Sequence, residues 1–207
     1  ATVYALAICF DLLDADQAQA AGGRLAEIAR ASGHHISTGF AGTPYVTWAL
    51  SRTGHVHDAY ELLLQTECPS WLYPVTMGAT TVWERWDSML PDGSLNTGMM
   101  TSFNHYALGA VADWLYQVVA GIQPAAPGYS AVRLAPTPGP GLAFAKATLD
   151  TRHGRIACGW RLEGDTAWAD VSVPPGVSAE LVLPDGSSES VPPGDHTYRL
   201  RKTAEIS

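Results

Sequence analysis

At 207 residues, the chain has room for one large domain or two small ones. It is 46% hydrophobic and only 15% charged, which supplies a core and excludes intrinsic disorder. A formal net charge of −8 with no basic patch argues against a nucleic-acid partner, and no run of about 18 apolar residues offers a membrane span.

The first predicted element is a helix already under way at Ala1, with Tyr4, Ala7, Ile8 and Leu12 at helical spacing. It has no charged leader and no A-x-A cleavage site, so it does not read as a signal peptide. The chain is therefore expected to start inside a larger domain, which leaves the compartment of the parent protein open. A second helix is predicted from Asp16 to Ala31, stopped by Gly33. A third opens at Thr43-Pro44, with proline in the first turn where helices tolerate it, and ends at Gly54. A fourth covers His57 to Gln65. Pro69–Val75 and Thr80–Trp83 read as extended, an irregular hairpin across Thr76–Ala79. Asp92-Gly93 marks a turn. A long helix is predicted from Ser102 to Gly121.

From Pro124 the texture changes to a linker-like Pro-Ala-Ala-Pro-Gly run and then short β-like segments. These are Ala131–Leu134, Phe144–Asp150, Arg155–Arg161, Ala167–Val173, Ala179–Leu183 and Thr197–Leu200. Such spacing suggests a small antiparallel sandwich. The expected organisation is a helical part over 1–123 and a β part over 124–207.

Cys9, Cys68 and Cys158 are odd in number, widely spaced and read as buried free thiols. His34-His35 and His55-x-His57 lack a partner acid or thiol at ligand spacing, so neither a metal nor a cofactor is implied. There is no nucleophile elbow and no glycine-rich phosphate loop.

The densest chemistry lies in Val82-Trp83-Glu84-Arg85-Trp86-Asp87. Indole faces stack well on the apolar faces of sugars, and a carboxylate among them can act as acid, base or nucleophile at a glycosidic bond. In an extended segment, Arg85 and Asp87 share a face and pair, leaving Glu84 free to hold a water. The plain alternative for Glu84 is a salt bridge to Arg85 or a surface acid. His105 follows in Ser102-Phe103-Asn104-His105-Tyr106, where Ser102 can cap a helix and His105 can donate to a sugar hydroxyl. A core histidine holding a loop fits equally. Trp71 and Tyr73 are either sugar platforms or half-buried packing.

Three stretches in order resemble bacterial and fungal α-L-rhamnosidases. They are Ile36-Ser37-Thr38-Gly39-Phe40-Ala41-Gly42-Thr43-Pro44-Tyr45, Gly78-Ala79-Thr80-Thr81-Val82-Trp83-Glu84-Arg85-Trp86, and Ser102-Phe103-Asn104-His105-Tyr106-Ala107-Leu108-Gly109-Ala110-Val111. The resemblance implies the C-terminal portion of an inverting glycoside hydrolase acting on rhamnose-containing carbohydrate. It implies the last helices of an (α/α)6 toroid, incomplete here, followed by a small β-sandwich. It places Glu84 as general base and His105 at the sugar, and Trp86 and Asp87 border the pocket by their proximity to Glu84 alone. The family's acidic motif for the general acid has no match, since Asp11, Asp14 and Asp16 lack its surroundings. An incomplete toroid is expected to expose helix faces that take the missing N-terminal part of the enzyme or a second copy. The alternatives are another toroidal glycosidase, phosphorylase or lyase, or a non-catalytic carbohydrate-binding module. Trp160 and Trp168 could bind sugar in such a module, although alternating aromatics read first as sandwich core.

Overall fold

A computed structural model describes residues 1–183 and 185–200 of the chain. They form two compact units, Ala1–Ala112 and Asp113 onward.

The first unit opens with four helices close to their expected places: α1 Thr2–Cys9, α2 Ala15–Ala31, α3 Thr43–Arg52 and α4 Val56–Leu64. A capping box starts α2. The Asp14 carboxylate accepts from the Gln17 N–H at 2.8 Å, and the Gln17 side chain accepts from the Asp14 N–H at 3.2 Å. Helix α2 turns Leu25, Ala26 and Ala29 inward. Helix α1 packs on α2 and α3, and α3 packs on α4. Gly42 lets the start of α3 approach α1, because a Cβ there would lie 2.4 Å from the Thr2 hydroxyl.

Asp58, in the first turn of α4, ties α2 to α4. It accepts Arg30 Nε at 2.8 Å and a second guanidinium nitrogen at 2.6 Å, and His34 Nε2 lies 3.1 Å away. Burial pushes the Asp58 carboxyl up, but the Arg30 and His34 hydrogen bonds outweigh it and hold the carboxyl below its ordinary value.

The expected hairpin at Pro69–Trp83 does not form. Leu72–Thr76 is a short helix, α5. The Ser70 hydroxyl accepts the Tyr73 N–H at 3.0 Å, and Pro74 sits in the first turn, where no amide is needed. Gly78, at φ 83°, ends the helix as Ala79 N–H bonds Pro74 O at 2.9 Å and Gly78 N–H bonds Val75 O at 3.0 Å.

The long helix expected from Ser102 is also shorter and irregular. A 3-10 turn at Ala107–Ala110 leads into α6, Val111–Trp114, and a π turn at Leu115–Val119. Backbone groups between Ser102 and His105 are already bonded to residues 82–84 and are not available to a helical ladder.

Among the described residues, the second unit carries eight strands: β1 Ile122–Pro124, β2 Ala131–Leu134, β3 Phe144–Thr151, β4 Gly154–Glu163, β5 Thr166–Val173, β6 Ser178–Val182, β7 Ser188–Val191 and β8 Gly194–Leu200. They form two sheets, ordered β1-β2-β6-β7 and β3-β4-β5-β8. The second sheet is antiparallel throughout, whereas β2 and β6 pair in parallel within the first. Both sheets contribute to one core, with Ile122, Val132, Leu134 and Leu181 from the first and Ile156 and Val171 from the second. Trp160 is core, and its indole N–H donates to Val119 O at 2.9 Å. Trp168 departs from the core reading. Strand β5 buries Ala167, Ala169 and Val171 and turns Trp168 outward, because side chains alternate along a strand.

The thiols divide as well. Only Cys158 is buried, and burial pushes its pKa up to about 12. Cys9 and Cys68 are half-buried, a correction to the expectation of three buried thiols.

Candidate active site

Two loops of the first unit are laced together at the predicted chemistry. Glu84 N–H donates to Ser102 O at 2.9 Å, and His105 N–H donates to Val82 O at 2.8 Å. The Thr81 hydroxyl donates to Phe103 O. Ser102 N–H then donates to Glu84 Oε2 at 3.1 Å, so Glu84 and Ser102 bond each other twice. One carboxylate oxygen is thus fixed by a backbone amide. The other, Oε1, has no hydrogen-bond partner among the described residues. A half-buried carboxylate oriented in this way can take a proton from water.

Ser102 does not cap the helix as expected. Its hydroxyl accepts the Asn104 N–H at 3.2 Å, making a local turn. His105 precedes the helical turns, and its Nδ1 accepts the Ala107 N–H at 3.3 Å. That bond leaves Nε2 as the nitrogen carrying hydrogen in the neutral ring, and therefore as a donor. Phe40 stacks on the same ring with centroids 4.9 Å apart, a contact that the sequence reading missed.

The indoles fall into two roles. Trp83 is 3% exposed and packs edge-on against Phe103 at 5.0 Å. Trp86 stays half-buried and meets Trp71 edge-on at 5.8 Å and 89°, while the Trp71 N–H donates to Leu108 O at 2.9 Å. Tyr73 lies in the core, and its hydroxyl donates to Met89 O at 2.8 Å. Burial pushes its phenol up.

Arg85 pairs with Asp87 as expected, with Nε 2.5 Å from Oδ1 and a second contact at 3.2 Å, but residues 84–87 form a bend and turn rather than the extended segment on which that expectation rested. Asn96 Nδ2 donates to Asp87 Oδ2 at 2.9 Å, and Arg85 reaches Met99 O at 3.3 Å. Asp87 is thus the hub of a brace across the loop between Trp86 and Ser102. Two of the histidines that invite a metal reading have other roles: His34 bonds Asp58 and His35 Nδ1 lies 2.7 Å from Ser32 O. No cluster of three metal-ligating side chains occurs among the described residues. Among them, too, no helix is long and apolar enough to cross a membrane.

Comparison with known proteins gives a consistent result. Residues 1–119 match the model of the bacterial alpha-L-rhamnosidase 6 hairpin glycosidase domain, and residues 121–197 match that of the bacterial alpha-L-rhamnosidase C-terminal domain. An alpha-L-rhamnosidase of Formosa agariphila is 38% identical over 99% of this chain, and one of Streptomyces avermitilis is 40% identical over 98%. Those alignments cover 22% and 19% of the relatives, so the chain spans about a fifth of their length. The crystal structure of the Aspergillus terreus enzyme superposes with a TM-score of 0.93 at 44% identity, covering 97% of this chain and 24% of that one. The Streptomyces avermitilis enzyme complexed with L-rhamnose gives 0.90 at 37% identity, covering 97% and 21%. With its helical part and its β part each matched in order, the chain belongs to the bacterial α-L-rhamnosidase family.

Proposed function

We propose that this chain is the C-terminal portion of an inverting glycoside hydrolase that removes terminal α-L-rhamnose. Residues 1–123 are read as the end of its catalytic toroid and 124–207 as its β-sandwich. Glu84 is the general base. It accepts a proton from water as the water oxygen bonds the anomeric carbon and the glycosidic C–O bond breaks on the opposite face. A general acid elsewhere in the enzyme protonates the leaving oxygen. Asp11, Asp14 and Asp16 are not read as that acid, because the family's acidic motif is not around them; Asp14 caps α2 and Asp11 lies exposed 3.7 Å from Arg52. His105 donates Nε2–H to a rhamnose hydroxyl, and Trp86 and Trp71 flank the sugar. Asp87 contributes through its brace, and Tyr73 through packing beneath the site.

The observation that carries this reading is the reciprocal Glu84–Ser102 bonding, which fixes Oε2 and leaves Oε1 for a water. The Streptomyces avermitilis relative complexed with L-rhamnose supports the choice of sugar. In the complete enzyme, Glu84→Gln is expected to lower turnover of 4-nitrophenyl α-L-rhamnoside by about 10²–10⁴-fold with little change in rhamnose affinity. Near-normal turnover removes Glu84 from the base role. Proton NMR of the first-formed product is expected to show β-L-rhamnose, and α-L-rhamnose would exclude inversion.

One observation favours a second reading, glycan binding by the β part. Trp168 faces outward, and the register aligns it with Arg161 and Arg199, with Phe144 beyond Arg161. Calorimetric titration of the complete enzyme and its Trp168→Ala variant with rhamnose-containing oligosaccharide tests it. Identical heats assign that face to sheet stability alone.

A further inference from the structure

The Ile36–Tyr45 run has no part in the acid–base chemistry, yet it delivers a ring to the side chain read as holding the sugar. Phe40 and His105 stack with centroids 4.9 Å apart and planes 11° apart. Tyr106 stacks on His105 as well, at 5.4 Å and 8°. Tyr106 is 87% exposed, so it has little support of its own, whereas Phe40 is half-buried.

Phe40 is itself held by the turn that starts α3. Thr43 N–H and Gly42 N–H both donate to Gly39 O, at 2.9 and 3.1 Å. The Thr43 hydroxyl lies 2.9 Å from Gly39 O and 2.9 Å from the Thr38 hydroxyl. Both threonines are buried, so the bond between their hydroxyls lies away from competing water.

An imidazole has two freedoms that matter to a sugar: the plane of the ring and the nitrogen that carries hydrogen. Ala107 N–H fixes the second by bonding Nδ1. The flat face of Phe40 restricts the first, because rotation of the imidazole out of parallel would open a gap or drive the rings together. We propose that Phe40 is a positioning residue, whose ring holds the His105 imidazole in the plane that presents Nε2–H to a rhamnose hydroxyl. The proposal rests on the reading of His105 as a sugar contact.

The test is a double-mutant cycle in the complete enzyme with 4-nitrophenyl α-L-rhamnoside, joined to inhibition by free L-rhamnose. Phe40→Ala is expected to lower kcat/KM by about 10-fold to 100-fold, the scale of a misplaced contact group. It should weaken rhamnose inhibition in parallel. Phe40→Tyr, which keeps the flat ring, should retain most of the activity. Phe40→Leu, which keeps bulk without a flat face, should resemble Phe40→Ala and serves if the alanine variant does not fold. In a His105→Ala background, Phe40→Ala should add no further loss. An undiminished loss in that background overturns the positioning role while leaving His105 at the sugar. Near-normal turnover and inhibition in His105→Ala alone overturn the sugar-contact reading, and the proposal falls with it.

Discussion

At Asp58, burial and charge pull in opposite directions, and charge wins. Its side chain is 2% exposed, while the Arg30 side chain that pairs with it is 58% exposed. Replacing Arg30 by Met leaves a buried carboxylate short of two hydrogen bonds. We expect α2 and α4 to open more easily by about 1–3 kcal/mol, read as faster amide exchange in those helices. Unchanged exchange would show that His34 alone satisfies Asp58. The pH dependence follows from the lowered carboxyl. Its contribution is fully present above the ordinary carboxyl value and is lost as pH falls through the lower folded value. Asp58→Asn should therefore flatten the acid-side rise in α4 exchange, and a retained rise assigns it to other carboxylates. Glu84 and His105 stood out in the sequence by residue type and neighbours. Phe40 did not, because a ring stack between residues far apart in the chain leaves no periodic trace.

Among the elements, α2 to α4 were legible because their apolar residues recur with helical period and Gly33, Pro44 and Gly54 mark ends among them, while the spacing read for α1 included Leu12, which lies beyond its end at Cys9. Helix α5 was not, since a proline reads as a breaker until its place in the first turn is known. The Ser102–Gly121 periodicity predicted one helix, but the site laces Ser102 to His105 onto Val82 and Glu84 instead. The Asp87 brace belongs to this scale, because it organises the loop between Trp86 and Ser102 rather than a single contact. Asp87→Ala removes the acceptor of both Arg85 and Asn96. We expect limited proteolysis of that variant to speed within residues 91–100, with turnover falling as the Ser102 clamp on Glu84 loosens. Cleavage at the original rate would show that the Met89–Leu95 bridge and the turn at Asp92 suffice.

For the whole molecule, the informative feature is unpaired apolar surface in the first unit. Helix α1 is apolar all round, yet only Ala5 and Ile8 are buried, and Val3 is 78% exposed. A helix of that kind is suited to burial on more than one side. The 22.0 kDa chain alone is expected to elute from size-exclusion as an associated species and to bind an apolar dye. A tightly folded monomer without dye binding would show that the first unit needs no further covering. Sequence by itself determined the order of helical and β parts, the four leading helices and most of the strands, and it singled out Glu84 and His105 as candidates. These depend on period, turn residues and local charge, which neighbours along the chain express directly. The tertiary structure decided the Glu84–Ser102 clamp, the stack of Phe40 on His105 and which face of β5 turns Trp168 outward. Each depends on which backbone groups and ring faces meet across loops and sheets, and those meetings are set by packing rather than by local order in the chain.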